Sequence, residues 1–365
     1  MKTLTVVITG GGTGGHIFPG IAIAQEMIAR DHQTRIVFIG TERRIDKQAM
    51  EMYGFDTRTI HCKPLKGSGL WAKLKSIGLL PVSLLESLLV LRNIKPDLVF
   101  GVGGYVTGPV LVAARLLGVP TCIHEQNSVP GMANRKIGGV VDRIFLSLPG
   151  SERFFPEEKC FLSGNPIRKD ILDILAEKQS SNAPTLVVLG GSQGAHSVNR
   201  IVPPALDLIK TRLPEGFTVI HQTGVADEED VRQEYGRIGI SARVTAFFSS
   251  MKEVYSEATL VLSRAGATTL AELTALQLPM LLIPFPYAAD NHQQKNAQIL
   301  VDSGAAKMFL EADLTPEILS VELLSLLLSE EARHKMAKSS GALARPHAAQ
   351  AIVDQALTLL RQKEA

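Results

Sequence analysis

The sequence predicts an α/β protein made of two parallel-sheet halves. Three observations predict it. Short β-branched and apolar runs alternate with helical stretches along the chain. Those runs are apolar throughout, as in strands covered on both faces, rather than alternating with polar residues. The order strand, glycine-rich turn, helix opens the chain and recurs near residue 185. A length of 365 residues also favours two domains.

Taken in order, Leu4–Thr9 is the first strand, and glycines follow it. Ile17–Arg30 carries helical spacing in Ile17, Ile21, Ala24, Met27 and Ile28. Arg35–Ile39, Asp97–Phe100, Thr121–Ile123 and Arg143–Leu146 read as further short buried strands. The alternation weakens at Pro149–Pro156 and again at Glu177–Pro184, a polar run with the Ser, Asn and Pro of a linker. The pattern restarts with Thr185–Leu189 and continues through Thr218–His221, Arg243–Ala246, Leu260–Leu262 and Met280–Ile283. Helical spacing returns at Ala348–Leu360, and this last stretch is expected to cross back onto the first half. The expected domains are 1–165, completed by a C-terminal helix within 341–365, and 166–340.

Composition excludes several classes. Hydrophobic residues make up 45% of the chain and charged residues 20%, which suits a core-forming globular protein rather than a disordered or fibrous one. Lys plus Arg is 38 against 36 for Asp plus Glu, so nothing in the balance asks for nucleic acid. Aromatics at 5% also argue against base-stacking platforms. Cys62, Cys122 and Cys160 are odd in number and far apart, as reduced thiols are in a cytosolic protein. The opening Met-Lys-Thr-Leu-Thr-Val-Val-Ile-Thr has too short an apolar core for a signal peptide. The longest apolar stretch, 77–91, holds Pro81 and Glu86 and falls short of the roughly 20 residues a spanning helix needs.

The glycines carry the chemistry. Gly10-Gly-Gly-Thr13-Gly14-Gly15-His16 places five glycines in six positions between a strand and a helix. Glycine lets a ligand approach the backbone, and the helix offers N–H groups and the positive end of its dipole, so a phosphate or pyrophosphate is the natural ligand. A nicotinamide cofactor would want an acidic residue at the tip of the second strand, and Phe38-Ile-Gly-Thr41 has none. A P-loop would want Gly-Lys-Ser/Thr, and His16 stands where the lysine belongs. Gly190-Gly-Ser192-Gln-Gly194 repeats the arrangement, with a hydroxyl suited to a phosphate oxygen. Gly101-Val-Gly103-Gly104-Tyr105 and His124-Glu125-Gln126-Asn127 follow two other strands. In open α/β sheets ligands lie beyond the carboxyl ends of strands, where all four loops fall, so the two halves are expected to face a shared cleft. Ser263-Arg264-Ala-Gly-Ala267 also joins a strand to a helix. Glu272 on that helix suits both hydroxyls of a ribose; a first-turn acid favoured by the helix dipole is the competing reading. The amide-rich run Asp290-Asn-His-Gln293-Gln294-Lys-Asn296 suits sugar hydroxyls, or simply a polar helix start.

In order along the chain, Gly-Gly-Thr-Gly-Gly-His-Ile-Phe-Pro, Gly-Val-Gly-Gly-Tyr-Val, His-Glu-Gln-Asn, Gly-Asn-Pro-Ile-Arg168, Gly-Gly-Ser-Gln-Gly-Ala and Ser-Arg-Ala-Gly-Ala resemble the MurG family of peptidoglycan glycosyltransferases. The six motifs run from residue 10 to about residue 300. The resemblance implies the GT-B fold, two Rossmann-like domains facing a central cleft. It implies transfer of N-acetylglucosamine from UDP-N-acetylglucosamine (UDP-GlcNAc) to the 4-hydroxyl of N-acetylmuramic acid (MurNAc) in lipid I, the undecaprenyl-pyrophosphoryl-MurNAc-pentapeptide. Lipid II and UDP would result, with inversion at the anomeric carbon, in service of cell-wall synthesis, cell shape and division. Carried over by motif, Thr13, Gly14, Gly15 and Asn127 would reach the donor from the first half. Arg168, Ser192, the backbone at Phe248, the turn Ala267, Thr268, Thr269, Leu270, Ala271 and Glu272, and Gln293 would hold it from the second. Glu272 would take the ribose diol and the Phe248 amide the uracil edge. Gly103, Gly104, Tyr105 and His124 would lie on the acceptor side. The loop before Gln293 varies within the family, so Gln293 and Gln294 both remain candidates. Other cell-wall synthesis proteins are further expected partners.

Inverting transfer needs a base for the acceptor hydroxyl and positive dipoles on the pyrophosphate. The sequence has no Asp-x-Asp, so no metal or other cofactor is required by its motifs. His16, inside the densest glycine loop, is the expected base, with Glu125 and His124 as competitors. Residues 63–95 set Lys63, Lys66, Lys73, Lys75, Arg92 and Lys95 against Glu86 alone, with many leucines and Trp71 between them. Leu65–Leu80 reads as a surface for anionic phospholipid, and Leu84–Leu91 as a buried core helix with a solvated basic face. The protein is thus expected peripherally, at the cytoplasmic face of the inner membrane. The rivals are another GT-B enzyme using a UDP-sugar (a glycolipid glycosyltransferase or a UDP-GlcNAc epimerase), a nicotinamide dehydrogenase, and a UDP-sugar binding module without catalysis.

Overall fold

A computed structural model describes residues 3–11, 14–41, 53–62, 70–175, 184–191 and 194–364, without the side chains of residues 70–77 and 364. The chain divides into two compact units, Met1–Arg168 with Arg345–Ala365, and Lys169–Ala344.

The first unit runs β1 (Thr5–Gly10), α1 (Gly14–Arg30), β2 (Arg35–Gly40), β3 (Asp56–Thr59), α2 (Leu70–Ile94), β4 (Leu98–Gly103), α3 (Thr107–Leu116), β5 (Thr121–Glu125), α4 (Met132–Ile137), β6 (Arg143–Leu146) and β7 (Cys160–Leu162). Among the described residues these strands form one sheet in the order β3-β2-β1-β4-β5-β6-β7, with every pairing parallel. Successive strand residues point to opposite faces, and both faces are covered. Val6, Ile8, Phe38 and Phe100 pack on one side against Ile17, Ile21 and Met27 of α1. Val7, Val37, Val99 and Ile123 pack on the other against Leu91 of α2 and Val110 and Leu111 of α3. This is why the strands read as unbroken apolar runs. Each such side chain stabilises the fold by roughly 1.5–3 kcal/mol on burial.

The second unit runs α5 (Lys169–Leu172), β8 (Thr185–Leu189), α6 (His196–Asp207), β9 (Thr218–Gln222), α7 (Glu228–Ile238), β10 (Ala242–Thr245), α8 (Met251–Ser256), β11 (Leu260–Ser263), α9 (Ala267–Ala275), β12 (Met280–Leu282), α10 (His292–Asp302), β13 (Ala306–Met308), α11 (Pro316–Leu328) and α12 (Glu330–Ala342). Its sheet is also parallel, in the order β10-β9-β8-β11-β12-β13. Leu186, Val188, Leu260, Leu262 and Leu281 pack with Val198 and Val202 of α6 and Leu319 and Leu323 of α11. The hydroxyl of Thr315 caps α11, accepting from the Ile318 amide at 3.3 Å, with Pro316 in the first turn.

The last helix, α13 (Ala348–Glu364), belongs to the first unit. Its Ile352, Val353, Ala356 and Leu359 complete the cluster over β1, β2 and β4. Arg30 of α1 pairs with Asp354, and Lys363 reaches Asp142 at 2.7 Å.

Five elements depart from the sequence expectation. The edge strands β3, β7 and β13 were not anticipated, being short and, in β3 (Asp-Thr-Arg-Thr), polar. Helix α1 starts at Gly14, three residues before Ile17, where the apolar spacing that marks it in the sequence begins. The stretch Leu84–Leu91, expected as a buried core helix with a solvated basic face, has leucines on its solvated face. Ser83, Ser87 and Leu91 point inward, while Leu85 is 58% and Leu89 53% exposed. The linker expected at Glu177–Pro184 lies outside the described residues except for Pro184. So do Lys63, Leu65, Lys66 and the side chains of Trp71, Lys73 and Lys75. No helix among the described residues is long and apolar enough to cross a membrane.

Candidate active site

In each unit the chain reverses its direction of winding between two central strands, and the glycine loops follow those strands. In the first unit they follow β1 and β4, in the second β8 and β11. A doubly wound sheet binds its ligands at such switch points.

In the first unit the two loops are joined. The Gly11 amide donates to the Gly103 carbonyl at 3.3 Å, and the Thr107 hydroxyl donates to the same carbonyl at 2.9 Å. His16, in the first turn of α1, is half-buried. Its ring lies against Gly103, where φ is +107° and a Cβ would stand 2.7 Å from His16 Nδ1. Gly103 is therefore required by the packing of His16 as well as by its own backbone. Gln126 Oε1 stands 3.0 Å from His16 Nδ1. The Gln126 amide nitrogen donates to the Val102 carbonyl at 2.8 Å and lies 3.1 Å from His124 Nδ1.

The two competitors of His16 as base occupy different surroundings. His124 is fully buried, with Nε2 3.2 Å from the Gly164 carbonyl and 3.0 Å from the Ser147 hydroxyl. Burial pushes its pKa down to about 4, against the pull of the Gly164 carbonyl and with a further push from His16. It has no accessible surface to offer an acceptor in this structure. Glu125 is also buried. One carboxylate oxygen accepts from the Asn127 backbone amide at 2.9 Å and its side-chain amide at 3.3 Å. The other accepts from the Gly131 amide at 3.1 Å and Asn134 Nδ2 at 2.9 Å. Glu125 thus holds the loop that carries Asn127. The Tyr105 hydroxyl lies 3.4 Å from Thr41 Oγ1. Gly104 has φ +90°. Arg168, expected on the second half, closes the first unit, its guanidinium 4.5 Å over the Phe18 ring of α1.

In the second unit the loop after β8 turns at Gly194, where φ is +77° and a Cβ would stand 2.3 Å from the Thr223 carbonyl. Gln222 Nε2 donates to the Gly191 carbonyl at 2.9 Å. Beneath it, Asn199 Nδ2 donates to Asp227 at 2.7 Å, and Asn199 Oδ1 lies 3.1 Å from Nε2 of buried His221. Burial pushes the His221 pKa down to about 3, although Asp227 opposes the shift. After β11, Arg264 donates to the Ile283 carbonyl at 3.1 Å and pairs with Glu311 at 2.7 Å, so it holds the loop ends together.

Helix α9 begins at Ala267. Ala267, Leu270 and Glu272 are buried, and Thr268, Thr269 and Ala271 are half-buried. The Tyr255 hydroxyl donates to Glu272 Oε2 at 2.8 Å. Phe248, between β10 and α8, is half-buried with the Arg243 guanidinium 5.7 Å from its ring centre. Gln293 Oε1 accepts from the Phe285 amide at 2.9 Å, which assigns its nitrogen as the end left to donate. Asp290 and Asn291, just before α10, both take left-handed φ, at +54° and +53°. Thr13 and Ser192 lie outside the described residues, as does the surrounding Gly12 and Gln193. Gln126 and Tyr255 are the residues that reasoning from sequence left without a role. Gln126 was visible within His-Glu-Gln-Asn, whereas nothing near Tyr255 in sequence points to Glu272.

Two Rossmann-like parallel-sheet domains with ligand loops at these strand ends define the GT-B class. Residues 6–146 match the glycosyltransferase family 28 N-terminal domain, and residues 185–352 the family 28 C-terminal domain. A protein of Desulfotalea psychrophila, named UDP-N-acetylglucosamine–N-acetylmuramyl-(pentapeptide) pyrophosphoryl-undecaprenol N-acetylglucosamine transferase, is 44% identical over 360 residues, 98% of each chain. A protein of the same name from Myxococcus xanthus is 43% identical, covering 98% of this chain and 94% of its own. The crystal structure of Acinetobacter baumannii MurG matches with a TM-score of 0.77 at 28% identity, over 97% of this chain and 99% of that one. A UDP-GlcNAc 2-epimerase from Neisseria meningitidis bound to UDP-GlcNAc matches at 0.66 and 16% identity over 97% of this chain and 100% of that one, a likeness of fold alone. The chain belongs to glycosyltransferase family 28, within the MurG group of N-acetylglucosamine transferases.

Proposed function

We propose that this protein transfers N-acetylglucosamine from UDP-GlcNAc to the 4-hydroxyl of MurNAc in lipid I, giving lipid II and UDP with inversion. The observation that carries this reading is the likeness over 98% of both chains, at 44% identity, to a relative whose name specifies donor and acceptor.

In this reading His16 takes the proton from the acceptor hydroxyl as the bond to the anomeric carbon forms and the bond to UDP breaks. Helix N-termini and Arg168 meet the charge developing on the departing pyrophosphate. Glu272, oriented by Tyr255, accepts from the ribose hydroxyls. The amide of Phe248 reads the uracil edge, and the start of α9 lies along the nucleotide. Gln293 donates to a sugar hydroxyl, a role its bond to the Phe285 amide favours over Gln294. Thr13, Gly14, Gly15, Asn127 and Ser192 complete the donor contacts, and Tyr105, Gly103 and Gly104 lie on the acceptor side. Glu125 and His124 act as supports. The chemistry needs no metal in this scheme.

The membrane reading now has a second support. Val82, Leu85 and Leu89 are exposed at i, i+3 and i+7 spacing on α2, with Arg92 exposed beyond them. An apolar stripe beside cations suits the surface of an anionic bilayer, where a polyprenyl-linked acceptor resides. This would place the protein peripherally on the cytoplasmic leaflet.

The deciding experiment incubates the protein with UDP-GlcNAc, with and without a lipid I analogue. UDP and a GlcNAc–MurNAc product should form only with the acceptor. UDP release or epimerised hexosamine without acceptor would select the epimerase, and tight binding without turnover the binding module.

A further inference from the structure

We propose that Gln126 is a positioning residue that fixes His16 as the Nδ1–H tautomer and leaves its Nε2 as the proton acceptor. The argument is one of donors and acceptors. The Val102 carbonyl can only accept, so the Gln126 atom at 2.8 Å from it is the NH2 nitrogen. The same nitrogen faces His124 Nδ1 at 3.1 Å. His124 Nε2 faces the Gly164 carbonyl at 3.2 Å, another group that can only accept, so Nε2 carries the His124 proton and Nδ1 accepts from Gln126. The Ser147 hydroxyl at 3.0 Å from Nε2 fits as a second acceptor. Reversing His124 would set N–H against NH2 and leave the Gly164 carbonyl without this donor.

Two independent anchors therefore hold the Gln126 nitrogen inward. Its oxygen is left toward His16 Nδ1 at 3.0 Å, and an oxygen there demands a proton on Nδ1. Neutral imidazole in water favours the opposite tautomer, with the proton on Nε2. The relay from the Gly164 and Val102 carbonyls through His124 and Gln126 thus selects the form with a lone pair on Nε2. Gly103, whose missing Cβ admits the ring, holds the imidazole in that place. His124 is the titratable neighbour on the same amide, and burial keeps it uncharged at neutral pH.

The consequence for catalysis rests on the reading of His16 as base, but the tautomer does not. The test is 15N NMR of the protein labelled in histidine, at a pH where His16 is neutral, with the resonances assigned from the His16→Ala spectrum. Wild type should show a protonated Nδ1 and an unprotonated Nε2 on His16. In Gln126→Met the Nε2–H form should grow, and kcat should fall about tenfold or more with the KM for UDP-GlcNAc unchanged. Gln126→Glu keeps an acceptor at Nδ1 but adds negative charge that favours the imidazolium, so the acid limb of the pH–rate profile should move to higher pH. A wild-type His16 protonated on Nε2 would overturn the proposal without any variant needing to fold. Variant tautomers and profiles matching wild type, with His16→Ala losing turnover, would also overturn it. If instead His16→Ala retains full turnover while the tautomer is as stated, the base assignment fails and the positioning stands.

Discussion

The ring of His16 and the Cα of Gly103 are packed so closely that a single methyl group at Gly103 would stand 2.7 Å from Nδ1. Gly103→Ala should therefore displace the imidazole as well as strain a backbone at φ +107°. Strain of this kind costs on the order of 1–3 kcal/mol. Turnover should fall by more than tenfold while the protein stays folded with a lowered Tm. Melting curves beside steady-state rates check this, and a fully active variant would mean that the ring does not act from this position.

His16→Ala should separate chemistry from binding. Losing a general base lowers kcat by about 10²–10⁴. The KM for UDP-GlcNAc should stay within a few-fold of wild type, because the proposed reading gives His16 the acceptor proton and leaves the donor contacts to other groups. Near-wild-type turnover would remove His16 from the mechanism.

The Tyr255–Glu272 hydrogen bond predicts a graded pair. Glu272→Gln should raise the donor KM about ten- to hundredfold, since hydrogen bonds to a charged group contribute about 1.5–3 kcal/mol. Tyr255→Phe leaves the carboxylate in place and should raise KM only a few-fold, with kcat unchanged. A UDP-sugar lacking the ribose hydroxyls should bind wild type and Glu272→Gln alike. If it still distinguishes them, Glu272 does not read the ribose.

Two buried histidines make stability depend on pH. His124 and His221 have pKa values pushed down to about 4 and about 3, against 6.5 for the ordinary side chain. Above pH 6.5 both are neutral whether the chain is folded or not, so they contribute no slope. Below it the unfolded chain takes up protons that the folded chain refuses, so stability declines as pH falls toward those values. The slope approaches about 1.4 kcal/mol per pH unit for each histidine. Denaturant midpoints at pH 7.5, 6 and 5 should fall in that order, and a flat series would contradict the burial of these rings.

The exposed stripe on α2 predicts a separation of lipid binding from chemistry. Leu85→Glu with Leu89→Glu should weaken sedimentation with anionic vesicles and leave the rate with a water-soluble acceptor analogue unchanged. Equal vesicle binding by variant and wild type would place the lipid contact elsewhere.

Both sheets were legible in the sequence because parallel strands covered on two faces show as unbroken apolar runs. Leu186 to Leu189 is one such run, and glycines mark where the chain leaves it. The edge strand Asp56–Thr59 was not legible, since its ladder bonds leave no trace in side-chain polarity. His16 stood out by its position in the glycine loop. Gln126 did not, because its role depends on a bond to Val102 that only the juxtaposition of β4 and β5 creates. Leu85 and Leu89 misled for a related reason: leucine content alone does not say which face of a helix has a partner. The contact of Arg168 with Phe18 was not legible either, because a motif gives a residue's neighbours in sequence and Phe18 lies 150 positions away.

Helix α13 has a consequence for the order of assembly during synthesis. The surface of β1, β2 and β4 that Ile352, Val353, Ala356 and Leu359 cover is made early by the ribosome, and its lid is made after the whole second unit. The nascent amino-terminal half must therefore wait with greasy side chains such as Val6 and Ile8 incompletely sheltered. The half that is translated later is free to finish first.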